Sequence, residues 1–180
     1  LAYAHGKGVV HCDVKPANIF MVGRTQPKVL DFGIARVTRQ RGRGGKADED
    51  GVDIDTGSLG AAPAARGSPY YVSPEPLRGG ELGARADVYG VGDVRYEMLT
   101  GRPAFARETA SDTIAAIIER EADWAPLPGG TAEAVTRLLR RCLEKDPRRR
   151  LRDIADARWD LEDPEPGTVR AEGGNKSSAG

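Results

Sequence analysis

Two short motifs near the start of the chain constrain its fold more than any other feature. Residues 11–18 read H-C-D-V-K-P-A-N, and residues 31–33 read D-F-G. Two apolar runs, 19–22 and 28–30, lie between the motifs and are joined by a turn that contains glycine and proline. Apolar runs with such a connection predict a β-hairpin. The sequence therefore predicts that the two motifs meet at the open end of one hairpin.

The two ends of this hairpin carry side chains with the chemistry of metal ligands. In an antiparallel pair, the residue that enters the first strand lies beside the residue that leaves the second. Asn18 and Asp31 hold these places and would present an amide oxygen and a carboxylate at one edge. Oxygen ligands of this kind suit Mg²⁺, which proteins hold through few side chains together with substrate phosphates. Asp13 lies where a general base is needed, and Lys15 supplies a positive charge near it.

Taken together, H-x-D-x-K-P-x-N followed by D-F-G resembles the catalytic loop and the magnesium loop of protein kinases. The resemblance is to bacterial, eukaryotic-like serine/threonine kinases, since Lys15 in this motif points to Ser/Thr specificity. It implies that Asp13 orients and deprotonates the substrate hydroxyl and that Lys15 steadies the γ-phosphate. It also implies that Asn18 and Asp31 hold Mg²⁺. ATP and Mg²⁺ are thus the expected cofactors, and proteins are the expected substrates.

A later stretch resembles the kinase segment that supports the peptide substrate and ends in Ala-Pro-Glu. Residues 67–75 read G-S-P-Y-Y-V-S-P-E, with Ser73 in place of the alanine. Ser68 falls where the family usually has a threonine whose hydroxyl bonds the catalytic aspartate and lysine. In the family, the arginine three residues after Asp-Pro pairs with the glutamate of this segment. The resemblance therefore predicts a buried, bidentate ion pair between Glu75 and Arg150.

Residues 86–100 predict a helix that ends at Gly101. Its first residues resemble the buried central helix of the kinase large lobe, in which an aspartate accepts hydrogen bonds from catalytic-loop amides. This implies a supporting role for Asp87. The resemblance gives His11 a structural role, packed under the loop and bonded to backbone. For His5, a role at the family's helix ending and an ordinary helix-end histidine both stay open.

Three further positions depart from the family pattern. Cys12 replaces the arginine that normally pairs with a phosphate on the activation loop. We expect that phosphorylation of that loop does not switch the site on through this contact. Asp93 and Arg95 fall where the central helix normally carries apolar residues. A buried, unpaired charge costs several kcal/mol, so the fold would be weakened if both were buried.

The expected fold class is mainly α: the C-terminal lobe of a protein kinase, a helical bundle with a short β-hairpin at the catalytic loop. This lobe is expected to span residues 1–162, with a long activation-segment insertion at 38–66 and a flexible tail or linker at 163–180. No Gly-rich loop, strand lysine or helix glutamate precedes Leu1. The N-terminal lobe is therefore expected to be missing, and this chain alone to be weak or inactive as a kinase.

Composition narrows the alternatives. The 27 basic and 27 acidic residues cancel, which disfavours nucleic-acid binding. Two cysteines make no disulfide framework, so a cytoplasmic setting is expected, and no apolar run is long enough to span a membrane. The main alternative to an enzyme is a catalytically inactive pseudokinase or partner-docking module. The presence of all four motif residues, Asp13, Lys15, Asn18 and Asp31, favours the enzyme. The oligomeric state stays open.

Overall fold

The computed structural model describes residues 1–32, 36–37 and 69–162. The expected insertion at 38–66, Ser68 and the expected tail at 163–180 lie outside the described residues. The helices are α1 (Ala2–Gly6), α2 (Pro74–Leu77), α3 (Ala84–Thr100), α4 (Ala110–Glu119), α5 (Glu133–Cys142) and α6 (Ala157–Glu162). The strands are β1 (Val9–Val10), β2 (Ile19–Val22), β3 (Gln26–Val29) and β4 (Arg36–Val37). Short 3₁₀ turns span Pro16–Asn18, Pro69–Tyr71 and Ile154–Asp156.

The predicted hairpin is confirmed. Strands β2 and β3 pair antiparallel, with Ile19 opposite Val29 and Val22 opposite Gln26. The second strand begins two residues before the apolar run, because the pairing extends through Pro27. Such a two-stranded ribbon tolerates proline, since each strand has an outer edge that needs no backbone donor. A second antiparallel pair joins β1 to β4 and so ties the chain before the first motif to the chain after the second.

Helix α3 forms the centre of the helical part. It starts two residues earlier than predicted and ends at Gly101, whose φ of 80° is the left-handed C-cap expected from the sequence. Its buried side chains enter two separate apolar clusters. One contains Tyr89, Tyr96, Phe105, Ile117 and Leu139. The other contains Val88, Leu138, Cys142, Leu151 and Ala157. Because α3 is buried on opposite sides, it is the element on which the rest of the fold packs.

Two glycines let other elements approach α3 closely. A Cβ on Gly90 would lie 3.0 Å from the Val14 Cβ and 3.1 Å from the Val14 carbonyl oxygen. A Cβ on Gly92 would lie only 2.6 Å from the Cβ of Cys142 on α5. Real Cβ atoms essentially never come as near as 2.6 Å, and 3.0 Å is tighter than nine in ten real Cβ contacts. The first motif and α5 therefore rest directly on the helix backbone. The position of the first motif is thereby tied to that of α3.

The two charged departures on α3 have different fates. Arg95 is exposed, whereas Asp93 is fully buried. The Ala104 amide donates to Asp93 Oδ1 at 2.8 Å, and Oδ2 has no partner among the described residues. Burial raises the pKa of Asp93 to about 7. Of the two charged side chains, only Asp93 therefore destabilises the fold, and protonation of its carboxylate removes the buried charge.

The positive charge of Lys145 acts on the Asp93 carboxylate and opposes the rise in its pKa. Its Nζ donates to the Tyr89 hydroxyl at 3.1 Å and to the Ile117 carbonyl at 2.8 Å, and lies over the Phe105 ring. Burial lowers the pKa of Lys145 to about 7.

Across the described ranges, no helix is both long and apolar enough to cross a membrane.

Candidate active site

Asp87 anchors the first motif to helix α3. Its Oδ2 accepts from the His11 amide at 2.7 Å, and its Oδ1 accepts from the Cys12 amide at 2.8 Å. The His5 Nε2 also lies 2.8 Å from Oδ2. A carboxylate with several hydrogen bonds is well suited to burial, because its charge is met by oriented donors. The structure thus shows the amide contacts that the sequence predicted and adds His5 as a further partner.

His11 links the two motifs through both of its ring nitrogens. The Asp13 amide lies 3.2 Å from Nδ1, and Nε2 lies 2.9 Å from the Leu30 carbonyl. Since a carbonyl can only accept, Nε2 carries the hydrogen and Nδ1 is the acceptor, so these contacts describe the neutral ring. The ring also meets Phe32 edge-on, with centroids 4.5 Å apart. His11 is packed under the loop and bonds backbone, as expected.

Asp13, Lys15 and Asn18 form one hydrogen-bonded group. Lys15 Nζ lies 2.6 Å from Asp13 Oδ2, and Asn18 Nδ2 lies 3.1 Å from the same oxygen. Asn18 Nδ2 also donates to the Asp13 carbonyl at 2.9 Å. Both the backbone and the carboxylate of Asp13 are therefore held from one side. The short 3₁₀ turn Pro16–Asn18 makes this possible, because it folds Asn18 back towards Asp13.

The donor set at the hairpin end fits Mg²⁺. Both hydrogen bonds of Asn18 to Asp13 use the amide nitrogen, so the amide oxygen is the atom with metal-ligand chemistry. The Leu30 amide donates to the Asn18 carbonyl at 2.8 Å, which brings Asp31 to the same edge. No described group of three His, Cys, Asp or Glu side chains could hold a metal alone. Two oxygen ligands completed by phosphates are the arrangement that Mg²⁺ uses.

Two residues of the site adopt the left-handed backbone conformation without being glycine. Cys12 has a φ of 67° and Asp31 a φ of 62°. Such conformations cost about 1–3 kcal/mol each and persist only when the surroundings fix them. Asp87 fixes the amide of Cys12, and the hairpin fixes the residue before Asp31. Strain of this kind is concentrated at functional sites.

The predicted ion pair joins Glu75 on α2 to Arg150, which follows α5. Arg150 Nη1 and Nη2 donate to the two oxygens of Glu75 at 2.6 and 3.0 Å. The Arg150 side chain is fully buried and also donates to the carbonyls of Arg85 and Glu144. Its guanidinium stacks 4.9 Å from the centre of the Tyr89 ring. Every face of this buried cation is thus met by an anion, a carbonyl or an aromatic ring.

A cleft of about 480 Å³ opens beside Lys15, lined by Lys15, Pro16, Ala17, Tyr70, Tyr71, Glu97 and Pro103. The Tyr71 hydroxyl donates to Glu97 Oε2 at 2.7 Å. Burial and this carboxylate raise the pKa of Tyr71. The cleft therefore lies beside Lys15, the ion-pair partner of Asp13. Tyr71 and Glu97 were not predicted as site residues, although both lie in stretches that resemble the family.

Of the predicted residues, the structure brings Asp13, Lys15 and Asn18 into direct contact, with His11 and Asp87 beneath them. Asp31 reaches the same edge through the hairpin. Ser68 lies outside the described residues, so its predicted contact with the catalytic aspartate stays a prediction.

The fold and this constellation define the chain as a protein kinase domain. A family model described as the protein kinase domain matches residues 1–159, so the chain belongs to that family. The serine/threonine-protein kinase PknB of Mycobacterium tuberculosis (strain ATCC 25618 / H37Rv) is 33% identical over 166 residues, which cover 89% of this chain and 24% of PknB. PknB of Mycolicibacterium smegmatis is 34% identical over the same coverage.

A plant relative shows the same similarity outside bacteria. The serine/threonine-protein kinase RUNKEL of Arabidopsis thaliana is 33% identical over 152 residues, 84% of this chain and 10% of RUNKEL. The chain thus spans about a quarter or less of the length of these relatives.

Proposed function

We propose that this chain is the large, helical lobe of a serine/threonine protein kinase that transfers the γ-phosphate of ATP to protein hydroxyls. The observation that carries the proposal is the Asp13 carboxylate, bonded to Lys15 at 2.6 Å and to Asn18 at 3.1 Å beside a peptide-sized cleft. These hydrogen bonds fix the orientation of the carboxylate before a substrate binds, so no reorientation is needed when it accepts a proton. The similarity to PknB and RUNKEL supports the same activity.

The residues of this chain would divide the reaction between them. The Asp13 carboxylate accepts the proton of the substrate hydroxyl and orients the hydroxyl oxygen towards the phosphate. Lys15, bonded to Asp13 Oδ2, offers positive charge that stabilises the negative charge of the phosphoryl group during transfer. Asn18 and Asp31 would hold Mg²⁺, which when bound neutralises charge on the ATP phosphates. Catalysis in such a site comes mostly from positioning and electrostatics.

We assign the nucleotide-covering part of the enzyme to sequence outside these 180 residues. The sequence contains no G-x-G-x-x-G loop, and large apolar side chains at the hairpin are exposed, Phe20 by 59% and Phe32 by 41%. The chain also covers only 24% of PknB. We therefore expect weak nucleotide binding by this lobe alone. We also propose a cytoplasmic location, because ATP is used there and because cysteine thiols stay reduced in that compartment.

The test is phosphate transfer from Mg²⁺-ATP to Ser- and Thr-containing peptides by the polypeptide that carries this chain in its native reading frame. Asp13→Asn keeps the shape of the side chain and removes the base, so we expect transfer to fall by at least roughly a hundredfold. Asp156→Asn, an exposed carboxylate outside the site, is the matched control and should leave transfer unchanged. Equal transfer by the parent and Asp13→Asn would refute the assigned base. Absence of transfer by a folded parent would favour the pseudokinase alternative.

A further inference from the structure

A small cavity lies between the catalytic loop and the segment that begins at Pro69. It measures about 30 Å³, and its lining includes Cys12, Val14, Tyr71, Ser73 and Asp87. A volume of this size is enough for one group as large as a water molecule. Cys12 holds the position at which the sequence departs from the arginine of the family. Cys12 lies in the wall of this cavity, and its thiol donates to the Val10 carbonyl at 3.7 Å.

Ser73 gives the cavity a second chemical feature. Ser73 is only 3% exposed, and its Oγ has no hydrogen-bond partner among the described residues. A buried hydroxyl without a hydrogen-bond partner is unfavourable, so a polar group beside it would be stabilised. Because Ser73 and Cys12 line the same cavity, a guest bonded to the sulfur can meet the hydroxyl.

We propose that Cys12 is a site of reversible oxidation by hydroperoxides and that its sulfenic oxygen occupies this cavity, within reach of the Ser73 hydroxyl. The thiol sulfur attacks one peroxide oxygen, and the O–O bond breaks as the new S–O bond forms. Cys–SH and H₂O₂ thus give Cys–SOH and H₂O, with sulfur oxidised and peroxide reduced. The product adds one oxygen atom to the side chain, which matches the size of the cavity.

The charges around the thiol set the expected rate. The thiolate is the reactive form, and the nearby Asp87 carboxylate disfavours it. Two backbone amides and His5 bond to that carboxylate and reduce its effect. We therefore expect a slow oxidation whose product persists because it is sheltered, rather than a fast reaction at an activated thiol.

Cys142 provides an internal comparison, because it is the other cysteine of the chain. It is 2% exposed and lies in the apolar cluster with Val88 and Leu138. Burial raises the pKa of its thiol to about 11. Cys12 is only partly buried and lines the same cavity as Ser73 and Asp87. The folded chain should therefore distinguish its two thiols, and an unfolded chain should not.

The test uses the 180-residue chain and needs no kinase activity, so it is independent of the proposed function. The folded chain is treated with hydrogen peroxide, the excess is removed with catalase, and the sulfenic acid is trapped with dimedone in denaturant. Peptide masses then locate the adduct. We expect at least roughly tenfold more adduct at Cys12 than at Cys142. A chain denatured before the peroxide step should label at both.

Ser73→Ala is the matched variant, because alanine is the residue that the family carries at this position and should preserve the fold. If the Ser73 hydroxyl holds the sulfenic oxygen, a delay between catalase and dimedone should lower the adduct several-fold more in Ser73→Ala than in the parent. Cys12→Ser should abolish the adduct in the folded chain. Equal labelling of both cysteines in the folded chain, or no labelling of Cys12, would overturn the site. An unchanged lifetime in Ser73→Ala would overturn the part assigned to the cavity.

Discussion

The guanidinium of Arg150 and the carboxylate of Glu75 meet through two parallel hydrogen bonds, although 75 residues separate them in the chain. Glu75 lies on the short helix α2, which follows the 3₁₀ turn Pro69–Tyr71. Arg150 follows α5 and is fully buried. This pair therefore fixes one wall of the candidate peptide cleft to the helical base.

Removal of this arginine should destabilise the fold strongly. Arg150→Met leaves the Glu75 carboxylate, 10% exposed, without its partner, so we expect a loss of about 3–5 kcal/mol in the free energy of unfolding. Chemical denaturation measures this loss. Arg149→Met is the matched control, because Arg149 is 75% exposed and should change stability by less than about 1 kcal/mol. The double variant Glu75→Gln/Arg150→Met should recover part of the loss, and no recovery would contradict an electrostatic origin.

A methyl group at Gly90 should displace the catalytic loop. Its Cβ would lie 3.0 Å from the Val14 Cβ, and Val14 follows the candidate base Asp13. We expect Gly90→Ala to cost about 1–3 kcal/mol and to lower phosphate transfer. Thermal unfolding and the transfer assay measure the two effects. Gly129→Ala, where nothing lies within 4 Å, should show neither effect. A fully active Gly90→Ala would mean that the loop does not depend on this contact.

Asp93 should make stability fall as the pH rises from about 4 to about 7. The pKa of Asp93 is about 7 in the folded chain, whereas an ordinary aspartate has a pKa of 3.8. As the pH rises, the unfolded chain therefore loses this proton at a lower pH than the folded chain. No penalty applies below pH 3.8, and the full penalty applies above about pH 7. Asp93→Asn cannot ionise, so its stability relative to the parent should increase by up to about 4 kcal/mol across this window.

The measurement for Asp93 is urea denaturation of parent and variant at several pH values. Lys145, whose own pKa is lowered by burial, is the cation that acts on this carboxylate. The control Asp156→Asn changes an exposed carboxylate and should give a curve parallel to the parent. If Asp93→Asn also runs parallel to the parent, Asp93 keeps an ordinary pKa in the folded chain.

Replacement of Asp87 should loosen the first motif. Asn offers one oxygen where the His5, His11 and Cys12 donors now meet two, and its amide hydrogens would oppose one of them. We expect Asp87→Asn to cost about 2–4 kcal/mol, because the lost acceptor is charged and buried. Denaturation measures the cost. A loss below about 1 kcal/mol would show that the loop holds its shape without this anchor.

Much of the site could be predicted from sequence because its residues lie in short motifs. The hairpin followed from two apolar runs and their turn, and the long pair of Glu75 with Arg150 followed from family resemblance rather than from any local pattern. The amide contacts of Asp87 followed in the same way. Catalytic roles for Asp13, Lys15, Asn18 and Asp31 stay predictions, to be tested by the transfer assay.

The contacts that escaped prediction join residues far apart in the chain. His5 sits at a helix end, and only the folded chain shows that it meets Asp87, 82 positions later. The burial of Asp93 and the exposure of Arg95 could not be separated either, because α3 is covered on opposite sides and its sequence has no single apolar face. The hydrogen bond from Tyr71 to Glu97 likewise depends on how the segment folds back onto α3.

The anchoring of the first motif on Asp87 has a consequence for amide hydrogen exchange. Loop amides usually exchange quickly, since brief local openings expose them to solvent. The amides of His11 and Cys12, however, donate to a side chain on the central helix, and they can be released only when that contact opens. Their exchange should therefore follow that of the α3 amides around Tyr89, so that this loop has the protection of the core.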